Sequence, residues 1–184
     1  MKKNGFTIVE TMVAVAVLLI IIAAPLTLAE RALASADAAR QEITAVYLAQ
    51  EAIEFVRNLR DTNTLAKVAW LTGLDACEDA AGCGIDPTAE SPSNQIFVCN
   101  ALLSTCTLQI NKGDPTTNPF SGLYGHQRVG SDWVKTEYTR SVALVESADG
   151  KEAKVTVTVG WTAGGFGART ISVSTNLMHW YVAP

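Results

Sequence analysis

The chain has 184 residues, with 14 basic and 18 acidic side chains and a formal net charge of −4. That balance argues against a general nucleic-acid binder, which needs a basic face, and no basic run is visible. Hydrophobic residues make up 48% of the chain, and the densest apolar run lies at the N-terminus.

The chain opens MKKNGFTIVETMVAVAVLLIIIAAPLTLAE. Lys2 and Lys3 precede an apolar run from Phe6 to Leu28, 23 residues, enough for a helix to cross ~30 Å of hydrocarbon. Positive charge beside a span stays in the cytoplasm. A single-pass topology follows, with everything after Glu30 outside the cytoplasm. Glu10 interrupts the run near its start. A carboxylate at membrane depth costs about 2.5–3.5 kcal/mol on insertion scales, so Glu10 needs a partner. A secretory signal peptide is the simpler alternative, with Ala32-Leu33-Ala34 or Ala34-Ser35-Ala36 as the cleavage site. Against it stand Glu10 inside the apolar core and a helical pattern that continues unbroken past the small residues.

Gly5-Phe6-Thr7-Ile8-Val9-Glu10, followed by an apolar helix, resembles the leader of type IV prepilins and type II secretion pseudopilins. The resemblance implies that a prepilin peptidase cuts between Gly5 and Phe6 and N-methylates Phe6, removing a leader of residues 1–5. It implies an inner-membrane subunit that moves into a pilus or pseudopilus. Its partners would be other pilin or pseudopilin subunits, the inner-membrane assembly machinery and the lipid bilayer. Loss of Lys2 and Lys3 would leave 12 basic against 18 acidic side chains, a net −6. Glu10 of one subunit would then meet the new Phe6 amine of another, since pairing relieves the penalty of a buried charge. No cofactor is implied.

Residues 6–29 therefore read as a transmembrane or filament-core helix, and residues 30–60 as an amphipathic helix that packs on a sheet. Pro25 cannot donate to the carbonyl of Ile21, which predicts a kink. The competing readings are a tolerated membrane-helix proline and a point where the helix bends or melts on packing into a filament. At 100° per residue, Ala45, Leu48, Ala49, Ala52, Ile53, Phe55, Val56 and Leu59 share one face, with Gln50, Glu51, Glu54, Arg57 and Asn58 opposite. Ile43 and Tyr47 break the pattern and are either subunit contacts or scattered exposed apolar residues. The stretch Leu48 to Glu54 resembles I-type minor pseudopilins and the minor pilins related to them.

Residues 61–184 read as an extracytoplasmic, disulfide-containing, β-rich domain. Residues 61–92 look irregular. Four cysteines on the exported side favour disulfides over metal. Of three pairings, Cys77–Cys83 and Cys99–Cys106 each close a short loop that otherwise lacks core residues. No Cys-x-x-Cys is present, and both histidines are remote from the cysteines, so no metal is expected. Asp75, Glu78, Asp79, Asp86 and Glu90 lack calcium-loop spacing and read as a solvated acidic loop.

Ile96–Cys99 and Thr107–Ile110 read as short strands, and residues 111–130 as turn-rich. Three longer strands follow at Thr136–Glu146, Ala153–Trp161 and Arg169–Leu177, with a hairpin at Asp149-Gly150 and another over residues 162–167. Together they predict an antiparallel meander covered by the helix. The fold class is α+β and pilin-like, a long N-terminal helix on an antiparallel sheet.

Catalysis has little to stand on. His126 and His179 are the only imidazoles, and neither sits by a recognisable nucleophile. Gly164-Gly165-Phe166-Gly167 opens no helix, which argues against a phosphate loop. Glu51 and Glu54 read as a solvated face. The sequence thus points to a structural subunit, minor rather than shaft-forming. Its alternative is a membrane-anchored extracytoplasmic binding or adhesion protein that never polymerises, with Trp133, Tyr138, Trp161, Trp180 and Tyr181 as candidate surface aromatics.

Overall fold

A computed structural model describes residues 5, 7–100, 104–126, 128–163 and 167–180. One helix, α1, runs Ile8–Leu65, with Pro25 inside it. Among the described residues seven strands follow: β1 (Cys83–Ile85), β2 (Ile96–Val98), β3 (Thr107–Asn111), β4 (Tyr124–His126), β5 (Trp133–Glu146), β6 (Glu152–Thr162) and β7 (Ala168–Met178). The architecture is α+β, one long helix followed by an antiparallel sheet. The chain divides into two compact units, residues 1–42 and residues 43–184.

In the first unit the described helical side chains stand mostly in solvent. Ile8 is 80% exposed and Ile20 70%. This stretch holds the apolar window that is long enough to cross a membrane, and none of the window is buried.

The second unit is built around β5. One edge pairs with β6 from Thr139 to Glu146. The other edge is shared end to end, by β3 along Trp133–Thr139 and by β1 at Val142. The register slips between Thr107 and Gln109, as a β-bulge does. There the Thr136 hydroxyl donates to the carbonyl of Leu108 at 2.8 Å. β6 pairs with β7 along its whole length, and β2 and β4 close the far margins.

The inward row of the sheet alternates as period two requires. Val155, Val157 and Val159 are fully buried, while Thr156 and Thr158 bond to Ser174 and Ser172 on the outer face. Against the inward row lie Ala45, Leu48, Ala49, Ala52, Ile53 and Val56 of α1, all buried. Three alanines among these six let the helix backbone come close to the valines. Phe55 and Leu59 pack at the margin, half-buried. Ile43 and Tyr47 are exposed.

Two strands went unforeseen. β1 lies in the stretch read as irregular, and β4 in the stretch read as turns. Each is only three residues long, too short to show a period. β1 depends on a glycine just before it. A Cβ on Gly82, whose φ is +72°, would come within 2.8 Å of the Val142 carbonyl oxygen. The sheet is therefore broader than a three-strand meander. The helix also runs on to Leu65, five residues into the stretch read as irregular, and the Thr64 hydroxyl there donates to the Arg60 carbonyl at 2.9 Å.

Candidate functional site

The N-terminal segment begins with Gly5, exposed and with open space around it. Phe6 lies outside the described residues. Thr7 precedes the first helical residue, and its hydroxyl accepts a hydrogen bond from the Glu10 amide at 3.3 Å. Thr7 is thus the N-cap, and Thr7-Ile8-Val9-Glu10 has the Ser/Thr-x-x-Glu pattern of a capping box. The Thr11 hydroxyl donates to the Ile8 carbonyl at 2.8 Å. Glu10 sits in the first helical turn, where the helix dipole favours negative charge by about 0.3–1 kcal/mol. Its position therefore has a local physical reason in addition to any partner. The sequence held this signal in plain spacing, Thr at N-cap and Glu three residues later. Further along, the helix is continuous through Pro25.

Two disulfides brace the sheet margin. Cys77 is bonded to Cys83, and Cys99 to Cys106, and no cysteine is free. The first joins a 3-10 turn (Asp75–Cys77) to β1, and the second spans residues 99–106, between the end of β2 and the start of β3. All four sulfurs belong to buried residues, so they act as small apolar clamps where short strands offer little packing of their own. Among the described residues no group of three or more His, Cys, Asp or Glu side chains is placed to hold a metal.

Two charged residues read as solvated are in fact structural. Glu51 pairs with Arg140, which is 0% exposed. Arg140 Nη1 also donates to the Leu48 carbonyl at 2.9 Å, and Nη2 to the Ile85 carbonyl at 2.7 Å. One guanidinium thus ties α1, β1 and β5 together, using its fixed fork of donors. Period two had placed Arg140 on the inward row between Tyr138 and Val142, and that was the available signal. Asp86 is 2% exposed. It accepts the His126 amide at 2.9 Å and both the amide and hydroxyl of Thr88, and it pairs with Arg128 at 3.1 Å. Neither a calcium ligand nor a solvated acid describes it.

His126 is buried beside this pair, with Phe97 edge-on at 5.3 Å between centroids. Burial first, and then the nearby Arg140 charge, push its pKa down to about 3; Asp86 and the Thr107 backbone oppose the shift without cancelling it. The imidazole is therefore neutral at ordinary pH. His179 stacks on Trp70 at 5.1 Å. Of the aromatics weighed as a binding surface, Tyr138 and Trp161 are buried. Trp133 is half-buried against Phe120 and the Arg128 guanidinium, and Trp180 is exposed. Tyr181 lies outside the described residues. Among the described residues, these aromatics therefore do not gather on one open face.

Residues 1–24 match the family model for the prokaryotic N-terminal methylation motif. No curated protein and no solved structure matches the chain. The motif is the signature of type IV prepilins and pseudopilins. It implies association with other pilin subunits and processing by prepilin peptidase. With that signature leading into an apolar helix and an α+β body, the chain resembles type IV pilins and pseudopilins.

Proposed function

We propose that this protein is a minor subunit of a type IV pilus or type II secretion-like filament. It is inserted once through the inner membrane by residues 6–29, with everything after Glu30 outside the cytoplasm. Prepilin peptidase cuts between Gly5 and Phe6 and methylates the Phe6 amine. The subunit then leaves the bilayer and joins other subunits, with Glu10 meeting a neighbour's Phe6 amine. The observation that carries this reading is the methylation motif over residues 1–24, joined directly to a helix whose membrane-length apolar window is unburied among the described residues. Apolar surface of that extent needs lipid or other helices around it.

The deciding experiment is the intact mass and N-terminal residue of the membrane-extracted protein. A start at Phe6 carrying one methyl is expected. A start near Ser35 or Asp37 would make it an ordinary secreted domain. An intact Met1 would favour the anchored binding protein, and with either of these two results the assembly reading fails.

A further inference from the structure

Among the described residues β7 pairs with β6 alone, so its other edge is a free margin of the sheet. That margin is long. β7 has 11 residues, whereas β2 and β4, at the far margins, have three each. Proteins blunt a free edge with a short strand, a proline, a lysine or a bulge. From Thr170 to Met178 there is no proline and no charged residue. The register with β6 runs without a shift from Glu152↔Met178 to Thr162↔Ala168. Two flanking bonds fix which backbone groups face outward. The Ala163 amide donates to the Gly167 carbonyl at 2.9 Å, and the His179 amide to the Lys151 carbonyl at 2.8 Å. Alternate residues of an antiparallel ladder face the partner strand, so Ile171, Val173 and Thr175 bond to β6. The amides and carbonyls of Thr170, Ser172, Ser174 and Asn176 point the other way, and all four residues are exposed.

A row of alternating donors and acceptors is matched by another extended backbone. The side chains along the edge narrow the choice. Ile171 and Val173 pack on the core but are partly buried, and apolar residues on an added strand would complete their cover. Arg169, on the same face by alternation, stands at one end of this stretch. At the other end Arg57, which also pairs with Glu54, donates from Nη2 to the Thr175 hydroxyl at 3.3 Å. Positive charge at both ends favours an acid at each. A second copy fits poorly. Antiparallel pairing of β7 with itself needs a two-fold axis normal to the sheet. The helix segments from Ala45 to Val56, packed on one face of that joint sheet, would then run in opposite directions, which two chains anchored in one membrane cannot do. We infer that the β7 edge takes up an extended segment of another protein, with two alternating apolar residues set between two acids. Choosing another protein over a second copy rests on the membrane anchoring proposed above; the chemistry of the edge does not.

The test uses the full chain in detergent micelles and the acetylated, amidated heptapeptide Glu-Thr-Val-Thr-Val-Thr-Glu, which reads the same in both directions. Saturable binding with Kd on the order of 100 μM is expected. Amide exchange should slow at Thr170, Ser172, Ser174 and Asn176, and stay unchanged at Ile171, Val173 and Thr175, which already bond to β6. Ser172→Pro removes an outward donor without removing a bond to β6, and should weaken binding about tenfold, as should lysine in place of both glutamates of the peptide. A third peptide, N-methylated at its central threonine, keeps the test open if the proline variant does not fold. That amide faces β7 when the valines lie beside Ile171 and Val173, so this peptide should not bind. Absence of saturable binding, protection spread beyond those four amides, or equal binding of the lysine or N-methylated peptide would overturn the inference. So would a dimer of the chain alone that protects the same four amides, since the occupant would then be a second copy. The mass of the processed N-terminus is read separately, so failure here is distinguishable from failure of the anchoring.

Discussion

Residues 8–29 and the helix face from Ala45 to Val56 are both apolar and both belong to α1, yet they solve opposite problems. In the first stretch the side chains point outward all round, and Leu19 is 64% exposed. In the second they form a stripe, and Ala49 and Ala52 are wholly buried under the sheet. A helix apolar on every side has no solvent face to give water, so it must be placed in lipid or among other helices. A striped helix can be satisfied by its own chain. The same secondary structure therefore serves association in one region and folding in the other, and substitutions should separate the two roles.

The largest separation is expected at Arg140. Arg140→Ala removes the donor to Leu48 and Ile85 and leaves the Glu51 carboxylate without its partner. Breaking a buried pair from one side costs about 3–5 kcal/mol, which would show as a large drop in the denaturant midpoint at constant slope. Glu51→Ala should cost less, because the Glu51 side chain is 38% exposed and two carbonyl acceptors remain. Equal effects would mean that the guanidinium is held by its charge partner alone. Next comes a matched leucine pair. Leu177→Ala, at 1% exposure, should lower domain stability by about 2–5 kcal/mol. Leu19→Ala should leave it within about 0.5 kcal/mol. A stability loss from Leu19→Ala as large as that from Leu177→Ala would erase the distinction between the two regions.

What could be read in the sequence follows from period length. α1 spans 58 residues, about sixteen turns, and β6 alternates valine with threonine, so both were legible. β1 and β4 were not, because three residues cannot establish a period and the burial of Cys83–Ile85 depends on neighbours far along the chain. The acids failed for the same reason. Nothing local distinguishes Asp86 from Asp79, yet one meets Arg128, 42 residues away, and the other only caps its own turn at the Ala81 amide. Arg140 was within reach, since strict alternation already turned it inward. Thr7 was also within reach, since its spacing from Glu10 is a recognised helix start.

His126 gives a comparison within the compact region. Its pKa falls from 6.5 to about 3 on folding, so the unfolded chain binds the proton first as pH drops. Stability is untouched above pH 6.5 and declines between there and about pH 3, at up to roughly 1.4 kcal/mol per unit. His126→Leu should flatten that part of the stability profile. Identical profiles for the two proteins between pH 6 and pH 4 would show that the imidazole is not buried in its neutral form.

The smallest expected effect separates two reasons for the same residue. Glu10 completes a capping pattern with Thr7, and it also supplies a carboxylate for assembly. Glu10→Gln keeps a side chain suited to the capping box but removes the charge. Thr7→Ala keeps the charge but removes the cap hydroxyl, at about 1 kcal/mol of local helix stability. If charge pairing drives assembly, Glu10→Gln should fall out of filaments while still inserting in the membrane, and Glu10→Ala should behave alike. Thr7→Ala should then assemble nearly normally, with faster amide exchange confined to the first helical turn. If order at the helix start is what matters, the outcome reverses: Thr7→Ala loses incorporation and Glu10→Gln retains it. Filament incorporation scored against membrane insertion for the three variants distinguishes these cases, because only the charge reading ranks Glu10→Gln below Thr7→Ala.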